Sequence, residues 1–229
     1  MNTGPAFALQ QIVLRSAKLE LLNTYRGVPI VYPAIPEKVD EASLTVKVSG
    51  HQIICLALEP MTILLSPLLE DPVHADVLAC DVGLGQATLG NFQYTHARVG
   101  DRTVARVAPQ APVTVKVIFG EHTLTGQLAD ISMVGLGATV PSAEAVQLRS
   151  GSAVTVLLTL PIEPKTELRL AGTVRSIRPD SGLSEHNRIG IQFASQSRPG
   201  ILHRYIRERQ EEIDLELKAL YAQRISEER

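Results

Sequence analysis

Short runs of branched apolar residues, repeated along most of the chain, constrain its fold more than any other feature. They recur between residues 29 and 193, and Gly, Pro, Asn or Asp separates most of them. Such runs predict β-strands, and the turn residues between them predict antiparallel neighbours. Short antiparallel strands avoid exposed sheet edges by closing into barrels. The sequence therefore predicts a mainly β fold.

The first part of the chain predicts a helix followed by a small barrel. Apolar residues at helical spacing between residues 6 and 22 predict a helix with one buried stripe. The strand-like runs that follow lie at residues 29–32, 43–48, 52–56, 61–65, 73–82 and 90–95. We expect residues 1–97 to form a first domain that consists of the helix and a small split β-barrel.

The second part predicts another barrel and a terminal helix. Six further strand-like runs lie at residues 112–119, 122–128, 136–140, 153–161, 168–177 and 188–193. Six short antiparallel strands suit a closed Greek-key barrel. We expect residues 98–229 to form this second domain, with a linker loop at 98–111 and a C-terminal helix at 199–226.

The C-terminal helix carries one broad apolar stripe. Its members are Ile201, Leu202, Tyr205, Ile206, Ile213, Leu217 and Leu220. Charged residues are dense on its other faces between residues 207 and 218. Two interpretations remain open. The helix can extend to bind a partner or to form a homodimer, or it can be a solvated terminal helix with a buried stripe.

Composition excludes several classes of protein. The chain has 229 residues, 45% of them hydrophobic, and a formal net charge of −2. A chain this close to neutral is not a general polycation, so an anionic partner has to be held by a local arginine cluster. Cys55 and Cys80, the two cysteines, lie in apolar runs and are expected to be buried reduced thiols, with a disulfide between them as the alternative.

No targeting or membrane segment is predicted. The N-terminus lacks a basic region followed by an apolar stretch. The longest apolar region, residues 53–69, is interrupted by a glutamate and two prolines and is too short to span a bilayer. We therefore expect a cytoplasmic protein.

Two short motifs near the middle of the chain carry the chemistry. Arg102 and Arg106 form an RxxxR motif, and Asp130, Ser132 and Gly135 form a DxSxxG motif. Arginine donates in a planar fork that suits guanine edges and phosphate oxygens. An aspartate, a serine and a glycine on a second loop can hold another face of the same ligand. The alternative interpretation is a surface arginine pair and a polar turn.

The order of these motifs, with a proline-rich segment and a strand between them, resembles the PilZ domain. PilZ domains form a family of bacterial receptors for the second messenger cyclic di-GMP. The resemblance runs from about residue 102 to residue 206 and includes the late strands at 172–177 and 189–193. The whole layout is similar to that of flagellar-brake-type proteins. In these, a split barrel, an arginine-bearing linker and a PilZ barrel follow one another.

The resemblance implies that the five motif residues bind cyclic di-GMP. Arg102 and Arg106 would contact guanine and phosphate groups, or stack on a purine. Asp130 would accept hydrogen bonds from the guanine N1–H and amine. Ser132 would bind a base edge or a phosphate, and Gly135 would allow the backbone to approach the ligand closely.

Two residues beside the first motif modify this expectation. Many family members carry a further basic residue next to the first motif arginine, but here Asp101 precedes Arg102. An acid at this position repels an anionic ligand or pairs with a nearby arginine, although an exposed charge is screened by salt. Arg98 partly compensates. Arg98 and Asp101 are therefore additional candidates for the site.

The resemblance implies a non-enzymatic sensor. Cyclic di-GMP would bind at the linker, change the arrangement of the two domains and so regulate a protein partner. This partner would belong to the flagellar or pilus machinery, with motility, biofilm or pilus function as the output. The alternative is a structural or adaptor protein that has the PilZ fold and has lost nucleotide binding.

Other chemistries find no support in the sequence. No catalytic constellation stands out, and we expect no enzyme activity, no metal and no bound cofactor. Five arginines of the second domain could contact DNA, but they form no DNA-reading motif, so we expect no nucleic-acid partner. These are Arg169, Arg175, Arg178, Arg188 and Arg204.

Overall fold

The chain folds mainly as β-strands, as the sequence predicts. The structure is a computed structural model that describes residues 4–40, 42–95, 105–180, 182–195 and 199–227. The helices in these residues are α1 (Pro5–Leu14), α2 (Gly50–Leu58), a 3₁₀ turn (Glu144–Gln147) and α3 (Pro199–Glu227). The strands are β1 (Leu19–Tyr25), β2 (Val28–Val39), β3 (Ser43–Val48), β4 (Met61–Leu65), β5 (Val73–Asp81), β6 (Gln86–Tyr94), β7 (Arg106–Val107), β8 (Thr114–Phe119), β9 (His122–Ser132), β10 (Gly135–Pro141), β11 (Ala153–Thr159), β12 (Glu167–Pro179) and β13 (His186–Ser195).

The first six strands close into an antiparallel barrel in the order β1-β2-β3-β6-β5-β4. Strand β1 completes the closure because it pairs with both β2 and β4. Alternate side chains point into the barrel and are buried, as Leu19 and Leu21 in β1 and Leu44 and Val46 in β3 illustrate. The predicted N-terminal barrel is confirmed.

The helix predicted for residues 6–22 is too long. Helix α1 ends at Leu14, and the chain from Leu19 onward is strand β1. Ser16 adopts a left-handed conformation (φ 49°), which helical residues do not have. The prediction was wrong because Leu21 satisfies both patterns. It falls on the helical spacing of α1 and also on the period-two burial of β1.

The strand predicted at residues 52–56 is a helix. These residues lie in α2, where four successive side chains, Ile53 to Leu56, are buried. A short apolar run that is buried all round has no period that separates a strand from a helix. Burial, aided by the charge of Glu59, raises the pKa of the Cys55 thiol in this helix to about 12. Cys55 and Cys80 are both free thiols; Cys55 is buried as predicted, whereas Cys80 is partly exposed, so the prediction of burial was wrong for Cys80.

The second barrel also has six antiparallel strands, in the order β10-β13-β12-β11-β8-β9. It closes because β10 pairs with β9 as well as with β13. The two-residue strand β7 adds to the outer side of β9. All six predicted strands are present. Strand β9, however, continues to Ser132, so Asp130 lies within a strand and not in the predicted turn.

Helix α3 follows the second barrel. Its predicted stripe is buried at Leu202, Tyr205, Ile206, Ile213 and Leu217. The chain divides into two compact units: Val104–Glu211 forms one, and the residues before Val104 group with those from Glu212 onward. The second half of α3 thus belongs with the first barrel.

A buried polar cluster lies inside the first unit. Asn23, Gln52 and Thr62 are each at most 3% exposed. The Asn23 amide oxygen accepts hydrogen bonds from Gln52 Nε2 (2.6 Å) and Thr62 Oγ1 (2.8 Å). Its amide nitrogen donates to the Met61 carbonyl at 2.8 Å. Because buried polar groups are costly when unpaired, Asn23 stabilises the barrel by satisfying its neighbours.

We expect Asn23→Ala to lower the free energy of unfolding by about 2–3 kcal/mol, since it leaves the buried Gln52 Nε2 donor without its acceptor and Thr62 Oγ1 with only the 3.3 Å hydrogen bond to the Leu22 carbonyl. Denaturant unfolding measures this difference. Ser43→Ala is the control. It removes an exposed 3.5 Å hydrogen bond to Asp40 and should change the free energy of unfolding by less than about 0.5 kcal/mol. Equal effects of the two substitutions would contradict the role given to the cluster.

Candidate functional site

The second motif arginine is brought to the barrel by strand β7. Arg106 pairs with Ser132 and Val107 with Ile131 in an antiparallel ladder beside the end of β9. Val107 is fully buried and fixes this short strand to the core. Arg106 Nη1 donates to Asp130 Oδ1 at 2.7 Å. The two predicted motifs therefore meet through a direct ion pair.

Asp130 is shared by two arginines. While one carboxylate oxygen accepts from Arg106, the other accepts from Arg188 Nη2. The side chains of Arg106, Asp130 and Arg188 are 30%, 16% and 47% exposed. Arg188 comes from β13, which lies next to β10 in the barrel wall, and β10 pairs with β9. Closure of the barrel is thus what brings all three groups together.

A second carboxylate lies near Arg188. Asp180 accepts a hydrogen bond from the Gly182 N–H at 2.9 Å and another from Thr139 Oγ1 at 3.1 Å. The Gly182 hydrogen bond is the largest cause that lowers the pKa of the Asp180 carboxyl, and Thr139 and the charge of Arg188 act in the same direction. Arg188 therefore lies in the field of two acids.

Ser132 closes the turn between β9 and β10. It is fully buried. Its Oγ donates to the Gly135 carbonyl at 3.0 Å and accepts from the Val134 N–H at 3.3 Å. This is the geometry of a serine turn, which the sequence also allowed. The ligand-binding role of Ser132 stays a prediction.

Two glycines of β10 make close approaches possible. A Cβ on Gly135 would lie 2.4 Å from the Ile191 carbonyl oxygen, so only glycine lets β10 approach β13 this closely. A Cβ on Gly137 would lie 2.9 Å from Asp130 Oδ2. The Asp130 carboxylate therefore lies over Gly137, in space that any other residue would occupy.

The structure brings together Arg106, Asp130, Ser132 and Gly135 of the predicted site. Arg102 and the additional candidates Arg98 and Asp101 lie outside the described residues. The structure also adds Arg188 and Gly137, which the sequence did not assign to the ligand. Gly137 carried a signal in the sequence, since it stands two residues after Gly135 on the same strand face. Arg188 carried none, because its partner Asp130 lies 58 residues away.

The arrangement offers both donors and an acceptor at the barrel surface. Arg106, Arg188 and Asp130 together carry a charge of +1, which the nearby Asp180 carboxylate offsets, so an anion would be held by the forked donors of the arginines rather than by net charge. Each guanidinium has five N–H donors, and a carboxylate has about four acceptor positions, so all three groups retain capacity for a ligand. Such a cluster complements a molecule with anionic oxygens and N–H donors.

The residues that the structure describes contain neither a candidate metal cluster nor a candidate membrane-spanning helix. Among residues 4–40, 42–95, 105–180, 182–195 and 199–227, no group of three or more His, Cys, Asp or Glu side chains could hold a metal ion. None of the helices within these ranges is long and apolar enough to cross a membrane.

Comparison with known proteins identifies the second unit. Residues 98–208 match the family described as the PilZ domain, so the chain contains a PilZ domain. The sequence has no significant match among curated proteins. The family assignment rests on the match over residues 98–208.

Three solved structures are similar to the chain at 14% identity. Escherichia coli YcgR in complex with c-di-GMP covers 95% of this chain and 96% of its own, with a TM-score of 0.46. The K. pneumonia MrkH–c-di-GMP complex covers 93% and 94%, with a TM-score of 0.44. The Bacillus subtilis inhibitor of motility MotI/DgrA covers 85% and 96%, with a TM-score of 0.43.

We expect alanine to lower the free energy of unfolding by different amounts at Gly135 and Gly137. Gly135→Ala places Cβ against backbone and should lower the free energy of unfolding by about 2–3 kcal/mol. Gly137→Ala places Cβ against the end of the Asp130 side chain, which can move, so its cost should stay below about 1 kcal/mol. A crystal structure of Gly137→Ala should show the carboxylate displaced. An unmoved carboxylate would contradict the role given to Gly137.

Proposed function

We propose that this PilZ-domain protein is a receptor for cyclic di-GMP that passes ligand binding on to a protein partner. The observation that carries the proposal is the carboxylate of Asp130 held between Arg106 and Arg188, within the residues that match the PilZ family. Arg102 precedes Arg106 of this cluster by four residues in sequence.

The chemistry of the cluster suits this ligand. Cyclic di-GMP carries two guanines and two phosphates. The forked donors of Arg106 and Arg188 match guanine O6 and N7 as well as phosphate oxygens. Asp130 accepts from the guanine N1–H and amine, which adenine does not present in the same arrangement. Arginine pairing alone would bind many anions, so Asp130 is the residue that confers selectivity for guanine.

Ser132 and Gly135 serve mainly to fix the backbone geometry around the site. Ser132 closes the β9–β10 turn through its hydrogen bonds to Gly135 and Val134, and Gly135 lets β10 approach β13. Together they hold Asp130 and Arg188 at a fixed separation. Arg102 and Arg98 are assigned to the ligand on the motif alone, and Asp101 is proposed to weaken binding.

The finer assignments extend the same proposal. The protein acts in the cytoplasm, and its output is motility, biofilm or pilus function through a flagellar or pilus partner. We propose that it is not an enzyme, because the cluster offers binding groups and no nucleophile with its base. The two units can adopt more than one arrangement, and the ligand binds these arrangements with different affinities. Ligand binding therefore shifts the equilibrium between them.

Arg106→Ala should weaken cyclic di-GMP binding by about 2–4 kcal/mol, because it removes a charged donor from the ligand and one of the two arginine partners of Asp130. Asp130→Ala should weaken binding by about 1.5–3 kcal/mol. Calorimetric titration measures both, with GMP and cyclic AMP as competing ligands that should bind poorly.

Arg207→Ala is the matched control for these titrations. Its side chain is 61% exposed on α3 and it pairs with Glu211 on the same helix. Binding should keep its wild-type affinity in this variant. Unchanged binding in a double variant at Arg102 and Arg106 would place the site elsewhere. A wild-type chain that binds no cyclic di-GMP would favour the adaptor alternative.

Saturating cyclic di-GMP should change the small-angle scattering curve of the whole chain, because binding at the linker shifts the equilibrium between the units. The Arg106→Ala variant at the same ligand concentration is the control and should scatter like the free protein. Superimposable curves for free and saturated wild type would leave a binding protein without a domain switch.

A further inference from the structure

The largest of the fully buried side chains is an arginine that the site does not use. Arg209 in α3 is 2% exposed. Removing a guanidinium from water is costly, so a buried arginine is retained where it makes specific hydrogen bonds. Arg209 Nε donates to the Ala108 carbonyl at 3.0 Å, across 101 residues of sequence. Both residues lie within the Val104–Glu211 unit.

The carbonyl that Arg209 holds belongs to the segment that carries Arg106. Ala108 follows directly after β7, whose two residues are Arg106 and Val107. Pro109 comes next, and it restricts Ala108 to extended backbone. The segment is therefore held at consecutive points: β7 pairs with β9, Val107 is buried, and Arg209 binds the Ala108 carbonyl.

We infer that Arg209 is a positioning residue for Arg106, and this inference rests on the proposed function. A strand of two residues is only weakly attached to the sheet, since it makes few backbone hydrogen bonds to β9. A charge-assisted hydrogen bond at the next carbonyl prevents the segment from fraying. Arg106 is then already in place when the ligand arrives, which lowers the ordering cost of binding.

The same contact makes α3 sensitive to the ligand. Arg209 is part of α3, so a change in how well residues 105–109 are ordered alters the free energy of the hydrogen bond between Arg209 and the Ala108 carbonyl. Coupling of this kind is reciprocal: if Arg209 promotes ligand binding, ligand binding strengthens the hold of Arg209 on the segment. Helix α3 is therefore the element through which occupancy of the site is reported.

The test compares Arg209→Met, which keeps an unbranched apolar stem and removes the guanidinium, with Arg209→Lys, which keeps the positive charge. Arg207→Met is the matched control on the exposed side of the same helix. Hydrogen exchange of the amides at 105–111 is measured without ligand, and cyclic di-GMP affinity is measured by calorimetry.

We expect Arg209→Met to speed exchange in this segment and to weaken binding by about tenfold, which corresponds to about 1.4 kcal/mol. Arg209→Lys should restore part of both effects, and Arg207→Met should alter neither. A folded Arg209→Met variant with wild-type exchange at 105–111 would overturn the inference. So would wild-type affinity for the ligand in that variant.

Two further outcomes are separated by the design. If wild type binds no cyclic di-GMP, the proposed function fails, and the exchange rates alone then decide whether Arg209 holds the segment. If Arg209→Met does not fold, Arg209→Lys decides. Faster exchange confined to 105–111 in Arg209→Lys supports the positioning role, and uniform or unchanged exchange overturns it.

Discussion

One carboxylate shared by two arginines is the interaction on which the candidate site depends. Asp130 is 24 residues from Arg106 and 58 from Arg188 in sequence, so only the closed barrel brings the three together. The pairing of β9 with both β7 and β10, and of β10 with β13, sets their separation. Gly137 leaves the space in which the carboxylate lies. The site therefore forms only when the strands of the second barrel have paired.

Much of the fold could be predicted because strand periodicity is local. A half-buried strand shows in the sequence as apolar residues at every second position. Val113, Val115 and Val117 follow this pattern, and all three are buried. Prediction failed where burial is uniform or where two periods coincide. Helix α2 has buried side chains at successive positions, and Leu21 fits both a helical stripe and a strand. Contacts from elsewhere in the chain decide the structure at these positions.

The candidate site divides in the same way. Arg106 and Asp130 were predicted because each lies in a short motif with recognisable chemistry. Arg188 was not predicted as a member of the site, and Arg209 was not predicted to act on it, because their partners lie 58 and 101 residues away. Nothing local distinguishes a buried arginine that binds a carbonyl from one on a solvated helix face. The sequence also did not show that the two glycines of β10 have different neighbours. Gly135 lies against the backbone of Ile191, whereas Gly137 lies against the side chain of Asp130.

These elements describe a site that is assembled before the ligand binds. Asp130 is oriented by two arginines, Arg106 is held by β7, and β7 is followed by a carbonyl that Arg209 binds. Pre-organised sites of this kind bind with a small ordering cost. The most direct test is a crystal structure of the whole chain grown with saturating cyclic di-GMP. We expect a guanine edge on Asp130, with Arg106 and Arg188 on the base or phosphate. Ligand bound elsewhere, with the ion pairs of Asp130 unchanged, would contradict the role given to this carboxylate.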